Sequence, residues 1–253
     1  HQLARIIDRL HELGRPDQTP IRFGTKSGSP RTPAMLLIAR AKAEEVKQIS
    51  AKTYGIIDCL LLDGQPNKSA VNALHDTLWG TQLTNVSIKT LDELQNIGCD
   101  FIFFDTDNIP AIIVRDDGMA RGFSINTPLD DDLARALDDL PIDFLVLDYQ
   151  VKTSKLTFAK LIEFQSTISK VAKHIFIRAD ECPNSNELAL LRDLPVDAIV
   201  LDLDSTNDLV VSETRGAINA LEPRKPRGHR ETPFIPQATP TEGFDQIHED
   251  KSN

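Results

Sequence analysis

The chain has 253 residues, 40% of them hydrophobic and 26% charged, with a formal net charge of −10; that length supports one sizeable core and matches the ~250 residues of an eight-stranded α/β barrel. The negative balance repels nucleic-acid phosphates and anionic membrane surfaces, which excludes both as expected partners. No apolar run reaches the ~18 residues of a membrane span, and no signal-peptide pattern is visible. Three cysteines without CxxC spacing describe no disulfide framework and point to a reducing, cytoplasmic setting. The chain opens on His1 rather than methionine, so upstream residues, a signal segment among them, are compatible with it.

In chain order, Leu3, Ile6, Ile7, Leu10 and Leu13 share one face of a helix expected over residues 2–13, ending at Gly14. Such a stripe needs a surface to cover. Residues 14–33 carry prolines and glycines with little periodicity and read as a long loop. Regular alternation follows. Strand one is expected at residues 35–39 with a helix around 41–53, and strand two at 59–62 with a helix near 68–78. Strand three is placed at 86–89 with a helix through 91–97, and strand four at 101–104. Residues 107–125 admit two readings. One is a hairpin around Asp116-Asp117-Gly118. The other is a short helix capped by Asn108 and ended by Gly118, then strand five at 120–125, with Asn126 or Thr127 capping the next helix. The helix reading is preferred because it completes eight strand–helix units. Strand six is expected at 144–147 with a helix at 158–171, strand seven at 175–178 with a helix near 186–194, and strand eight at 198–203 with a closing helix at 208–221. Residues 223–253 carry five prolines and no period, the composition of a disordered tail. The basic residues Arg224, Lys225, Arg227 and Arg230 fall there and read as a solvated segment.

A repeat underlies this order. Four times an aspartate precedes four apolar residues and a second aspartate: Asp58-CLLL-Asp63, Asp100-FIFF-Asp105, Asp143-FLVL-Asp148 and Asp197-AIVL-Asp202, the starts 42, 43 and 54 residues apart. The cores are short and non-alternating, as in strands buried on both faces. The spacing fits two strand–helix units per repeat. Five residues separate the two aspartates, so they face opposite sides of the strand.

In such barrels the active site lies at the C-terminal strand ends. There the even strands would place Asp63, Asp105, Asp148 and Asp202, and the odd strands Arg40, Lys89, Asn126 and Arg178, with Asp180 and Asp204 just beyond. If the second aspartates point inward, four carboxylates share one layer and three cations neutralise most of it. As an enzyme, a lyase- or aldolase-like one, the barrel would use Lys89 as amine or general base and Asp105 and Asp148 as acid–base groups. Arg40, Asp63, Arg178 and Asp202 would bind substrate. Those carboxylates also suit Mg²⁺ as a cofactor. The alternative is a charge network that caps helices and closes the mouth of a non-catalytic scaffold or ligand-binding barrel, self-associating through its tail.

Other motifs carry less. The loops after strands seven and eight, ADECPNSNE and DLDSTNDLV, lack the glycines of a phosphate grip. No histidine is placed at a strand C-terminus, Cys182 has no partner base, and no GxGxxG or GxxxxGK[ST] occurs. Lys152-Thr153-Ser154 is similar to the KTS of deoxyribose-phosphate aldolases, whose lysine forms a Schiff base. The second lysine of that family would fall near Arg178, which cannot act as a neutral amine.

The stretches RTPAMLLIARA, GCDFIFFDTDNIP and LPIDFLVLDYQ resemble an uncharacterised group of bacterial TIM-barrel-like proteins of similar length. The resemblance spans about residues 33–221 and implies a shorter βαβ step after strand four. It assigns no activity, and it implies that the strand-end aspartates vary among members, which favours a structural role for them. The expected organisation is an N-terminal amphipathic helix and loop (1–32), a (β/α)8 TIM-barrel-type parallel barrel (33–222) and a flexible tail (223–253).

Overall fold

The computed structural model describes residues 4–13, 32–74, 76–105, 108–125, 128–149, 156–203 and 207–223. Eight parallel strands close into a barrel in sequence order: β1 Leu36–Lys42, β2 Cys59–Asp63, β3 Leu78–Gln82, β4 Phe101–Phe104, β5 Ala120–Ile125, β6 Phe144–Tyr149, β7 His174–Ala179 and β8 Ala198–Asp202. A first helix, α1 (Arg5–Glu12), precedes them. The outer helices are α2 (Ala51–Tyr54), α3 (Lys68–Ala73), α4 (Ile88–Asn96), α5 (Asp131–Asp139), α6 (Phe158–Ile168), α7 (Ser185–Asp193) and α8 (Asp208–Ala220). No helix among the described residues is long and apolar enough to cross a membrane.

Strand alternation sorts the core into two layers. Outward residues such as Leu60, Leu62, Ile102, Leu145 and Ile199 pack against the helices. Inward residues, including Ile38, Leu61, Phe101, Phe103, Phe144 and Phe176, fill the barrel. Phe144 stacks on Phe176 at 4.2 Å and meets Phe101 edge-on at 5.9 Å. Space for these rings comes from two inward glycines: a Cβ on Gly80 would lie 2.4 Å from Phe101, and one on Gly122 would lie 1.8 Å from Phe144.

The apolar face of α1 covers the N-terminal end of the barrel. Ile6, Ile7 and Leu10 are buried and join the interior cluster. The first aspartates of the repeats organise this same end. The N–H of Asp58 donates to the Leu37 carbonyl at 2.8 Å, and its carboxylate accepts the Leu37 N–H at 2.7 Å. Asp143 clasps Arg121, and Asp197 clasps Ile175, by the same two bonds. Asp100 keeps only the backbone half, to Trp79. Its carboxylate instead accepts the N–H groups of Arg5 at 2.8 Å and Ile6 at 2.7 Å, capping α1 from β4.

Several expectations change. The third strand is Leu78–Gln82, not residues 86–89; Ser87 caps α4 by accepting the Thr90 N–H. Lys89 is therefore a helix residue, not a strand end. After β4 the chain makes a 3-10 turn at Ala111–Val114 and enters β5, so the strand–helix reading holds, in shortened form, over the hairpin. Asp130, not Asn126 or Thr127, caps α5. Strand β1 runs on to Lys42, and the segment after it holds a 3-10 turn (Val46–Gln48) and the four-residue α2 instead of one long helix. The tail beyond residue 223, Asp204 and the segment around Lys152 lie outside the described residues, as do Asn126 and Thr127.

Candidate functional site

With the N-terminal end covered by α1, the C-terminal strand ends form the accessible mouth. Continuing the inward alternation to that end, every strand delivers a polar residue: Arg40, Asp63, Gln82, Asp105 just past β4, Ser124, Asp148, Arg178 and Asp202. The strand register brings them to one level, with Arg40 opposite Asp202, Asp63 opposite Gln82, and Asp148 opposite Arg178. Beneath them the aromatic interior leaves a void of only about 10 Å³, at the lower limit for one water molecule. A ligand can therefore sit on this ring but not below it.

Two guanidinium groups organise the carboxylates. Arg40 bridges Asp63 and Asp202, at 2.7 and 2.9 Å. Arg178 grips Asp148 with both arms of its fork, at 2.7 and 2.8 Å, a geometry specific to arginine. Its planar group also lies 5.8 Å from the Phe103 ring centroid, on the floor of the mouth. Burial works to lower the Arg178 pKa, but the Asp148 hydrogen bond and the charges of Asp148, Asp105 and Asp180 outweigh it and raise the value. Asp105 accepts a hydrogen bond from Gln82 Nε2 at 2.8 Å. Among the described residues, two buried polar atoms in the ring have no partner, Arg40 Nε and Gln82 Oε1.

Six of the seven sequence-selected residues, Arg40, Asp63, Asp105, Asp148, Arg178 and Asp202, thus meet in one layer. Lys89 does not join them. It lies in the first turn of α4, 83% exposed, its Nζ 3.8 Å from Glu93 Oε1. The ring holds four carboxylates and two cations rather than three. Gln82 and Ser124 complete it without having been expected there; Gln82 falls between the helix expected to end near residue 78 and the strand expected at 86–89. Cys182 sits beside Thr214 with its thiol pKa raised by burial, the opposite of an activated nucleophile. Among the described residues, no three His, Cys, Asp or Glu side chains are grouped to hold a metal ion. Two clefts open beside the ring, one of about 410 Å³ lined by Lys42, Asp63, Gln65 and Asn67, the other of about 560 Å³ lined by Glu45, Gln48, Ser50 and Asp208.

No protein-family model matches the chain, and no curated protein matches it. Solved structures do share the architecture. A mutant tryptophan synthase α-subunit from the hyperthermophile Pyrococcus furiosus superposes with a TM-score of 0.56 at 10% identity, covering 75% of this chain and 98% of that one. Thiamine phosphate pyrophosphorylase from Pyrococcus furiosus gives 0.53 at 12% identity, covering 74% and 96%. N-(5'-phosphoribosyl)anthranilate isomerase from the same organism gives 0.50 at 10%, covering 73% and 98%. At such identities the likeness defines the class, a (β/α)8 TIM barrel, and nothing finer.

Proposed function

We propose that this barrel binds a small polar metabolite at its C-terminal mouth and, if catalytic, transforms it in a lyase- or aldolase-like reaction. One observation carries the reading: all eight strands present a polar inward residue at the mouth, above an interior that is otherwise apolar and filled. Asp105 and Asp148 are the acid–base candidates, and Arg40, Asp63, Arg178 and Asp202 the groups that orient a ligand. Lys89 points away from this layer, so the amine role foreseen for it has no support from its placement. The neighbours include metabolic enzymes on the same fold, which is consistent with this reading by analogy only.

The ion pairs themselves favour a second reading. Arg40 and Arg178 are already ion-paired with ring carboxylates, as in a structural network that closes the mouth of a scaffold barrel. A thermal-shift screen of the full chain against small metabolites and divalent cations separates the two. A ligand at 100 times its Kd stabilises by about 2.7 kcal/mol, which at ~2–4 °C per kcal/mol for a domain of this size gives a rise of ~5–11 °C. A flat screen on folded protein would reject the binding reading.

A further inference from the structure

The charge pattern of the mouth specifies the ligand further. Three of its four carboxylates are paired within the ring: Asp63 and Asp202 share Arg40, and Asp148 takes both arms of Arg178. Among the described residues, the fourth, Asp105, is held only by the amide of Gln82, while the Arg178 fork that lies within electrostatic reach of it is occupied by Asp148. Gln82 is 5% exposed, yet its Oε1 has no hydrogen-bond partner among the described residues. A buried acceptor without a donor is costly. Next to it stands Asp105, a carboxylate with no cation of its own among the described residues. The lysine that the sequence suggested for this layer is elsewhere, on the outside of α4.

Resting on the reading that the mouth is a binding site, we propose that its ligand carries a protonated amine, seated between Asp105 and Gln82 Oε1. An ammonium group has donors for both acceptors at once. Formally, four carboxylates and two guanidinium groups leave the ring negative by two, which favours an organic cation and disfavours phosphate or carboxylate ligands. A divalent ion fits less well, because no three acidic, histidine or cysteine side chains among the described residues are grouped to hold one. Hydroxyl groups on the same ligand would meet the paired carboxylates and the buried Nε of Arg40.

Calorimetric titration of the full chain at low ionic strength tests this. The probes are glucosamine, ethanolamine and putrescine, with glucose and ethylene glycol as neutral counterparts, inorganic phosphate and succinate as anions, and magnesium chloride alone. The expected result is binding of an amine, about tenfold or more weaker for its neutral counterpart and for Asp105→Asn. Asp105 is exposed past the end of β4, so the variant keeps the fold, which circular dichroism verifies. Binding of anions but not amines would overturn the amine assignment while leaving the mouth as a site. Magnesium binding alone, lost in Asp105→Asn, would replace the organic cation with a metal. Amine binding unchanged in Asp105→Asn would overturn the placement. Silence from every probe would count against both the amine and the site.

Discussion

The carboxylate of Asp100 ties the N-terminal helix to the barrel, and its removal gives a calculable effect. Asp100 is 7% exposed and accepts the N–H groups of Arg5 and Ile6 at 2.8 and 2.7 Å. Hydrogen bonds to a charged group contribute about 1.5–3 kcal/mol each. The further contact to Arg5 Nε, at 3.3 Å, involves a side chain 55% exposed and adds little. Taking the lower end for both backbone bonds, because water can reach the start of α1, Asp100→Ala should cost about 3 kcal/mol. For a domain of this size that lowers the melting temperature by roughly 6–12 °C. Asp100→Asn keeps one acceptor without the charge and should lose about half as much. Calorimetric melting gives the magnitude, and hydrogen exchange of the α1 amides gives the location, since the variant should exchange faster there than in the strands. A drop below about 2 °C, with α1 still protected, would refute the capping argument.

The same physics makes other outcomes explicit. Gly122→Ala places a Cβ 1.8 Å from a Phe144 ring that is itself stacked on Phe176. Overpacking there should cost about 3 kcal/mol in a melt, because the aromatic core has no room to give; an unchanged melting temperature would contradict the packing described. Burial, reinforced by the nearby Glu187 carboxylate, pushes Tyr149 up to about 12, and burial also raises Tyr54. In an ultraviolet titration neither tyrosine should ionise with its ordinary pKa of about 10. Because the folded value lies above the unfolded one, the Tyr149 contribution to stability is present below pH ~10 and is lost as pH rises through about 12. A tyrosine titrating normally in the native protein would disprove its burial.

The parts of this structure legible from sequence are those written in local chemistry. Uninterrupted apolar runs between aspartates mark β2, β4, β6 and β8, and five-residue spacing fixes which aspartate of each pair faces the mouth. β3 escapes because Gly80, Thr81 and Gln82 break the apolar run that Leu78 and Trp79 begin, while Val86 and Ile88 imitate one. The better signal was Ser87, a helix cap three residues before the Thr90 amide it accepts. A strand at 86–89 puts Lys89 at the mouth and leaves Gln82 out of it, whereas the true β3 does the reverse. The first aspartates are alike in sequence but not in role. Asp58, Asp143 and Asp197 clasp the neighbouring strand, whereas Asp100 caps a helix 95 residues earlier. Only the long-range arrangement decides that. Likewise the stripe of Ile6, Ile7 and Leu10 announced a surface to cover, but closure of the barrel was needed to show that the surface is the N-terminal end.

The most direct test of the mouth as a ligand site rather than a structural network is Asp148→Ala, melted with and without the compound giving the largest thermal shift. Asp148 and Arg178 are 30% and 22% exposed, and Arg178 retains the nearby charges of Asp105 and Asp180 when its partner goes. Stability without ligand should therefore fall by only about 1 kcal/mol, while the ligand-induced shift should largely disappear. A large loss of stability with the ligand response intact would mean that the ring serves the fold and that binding, if any, lies elsewhere.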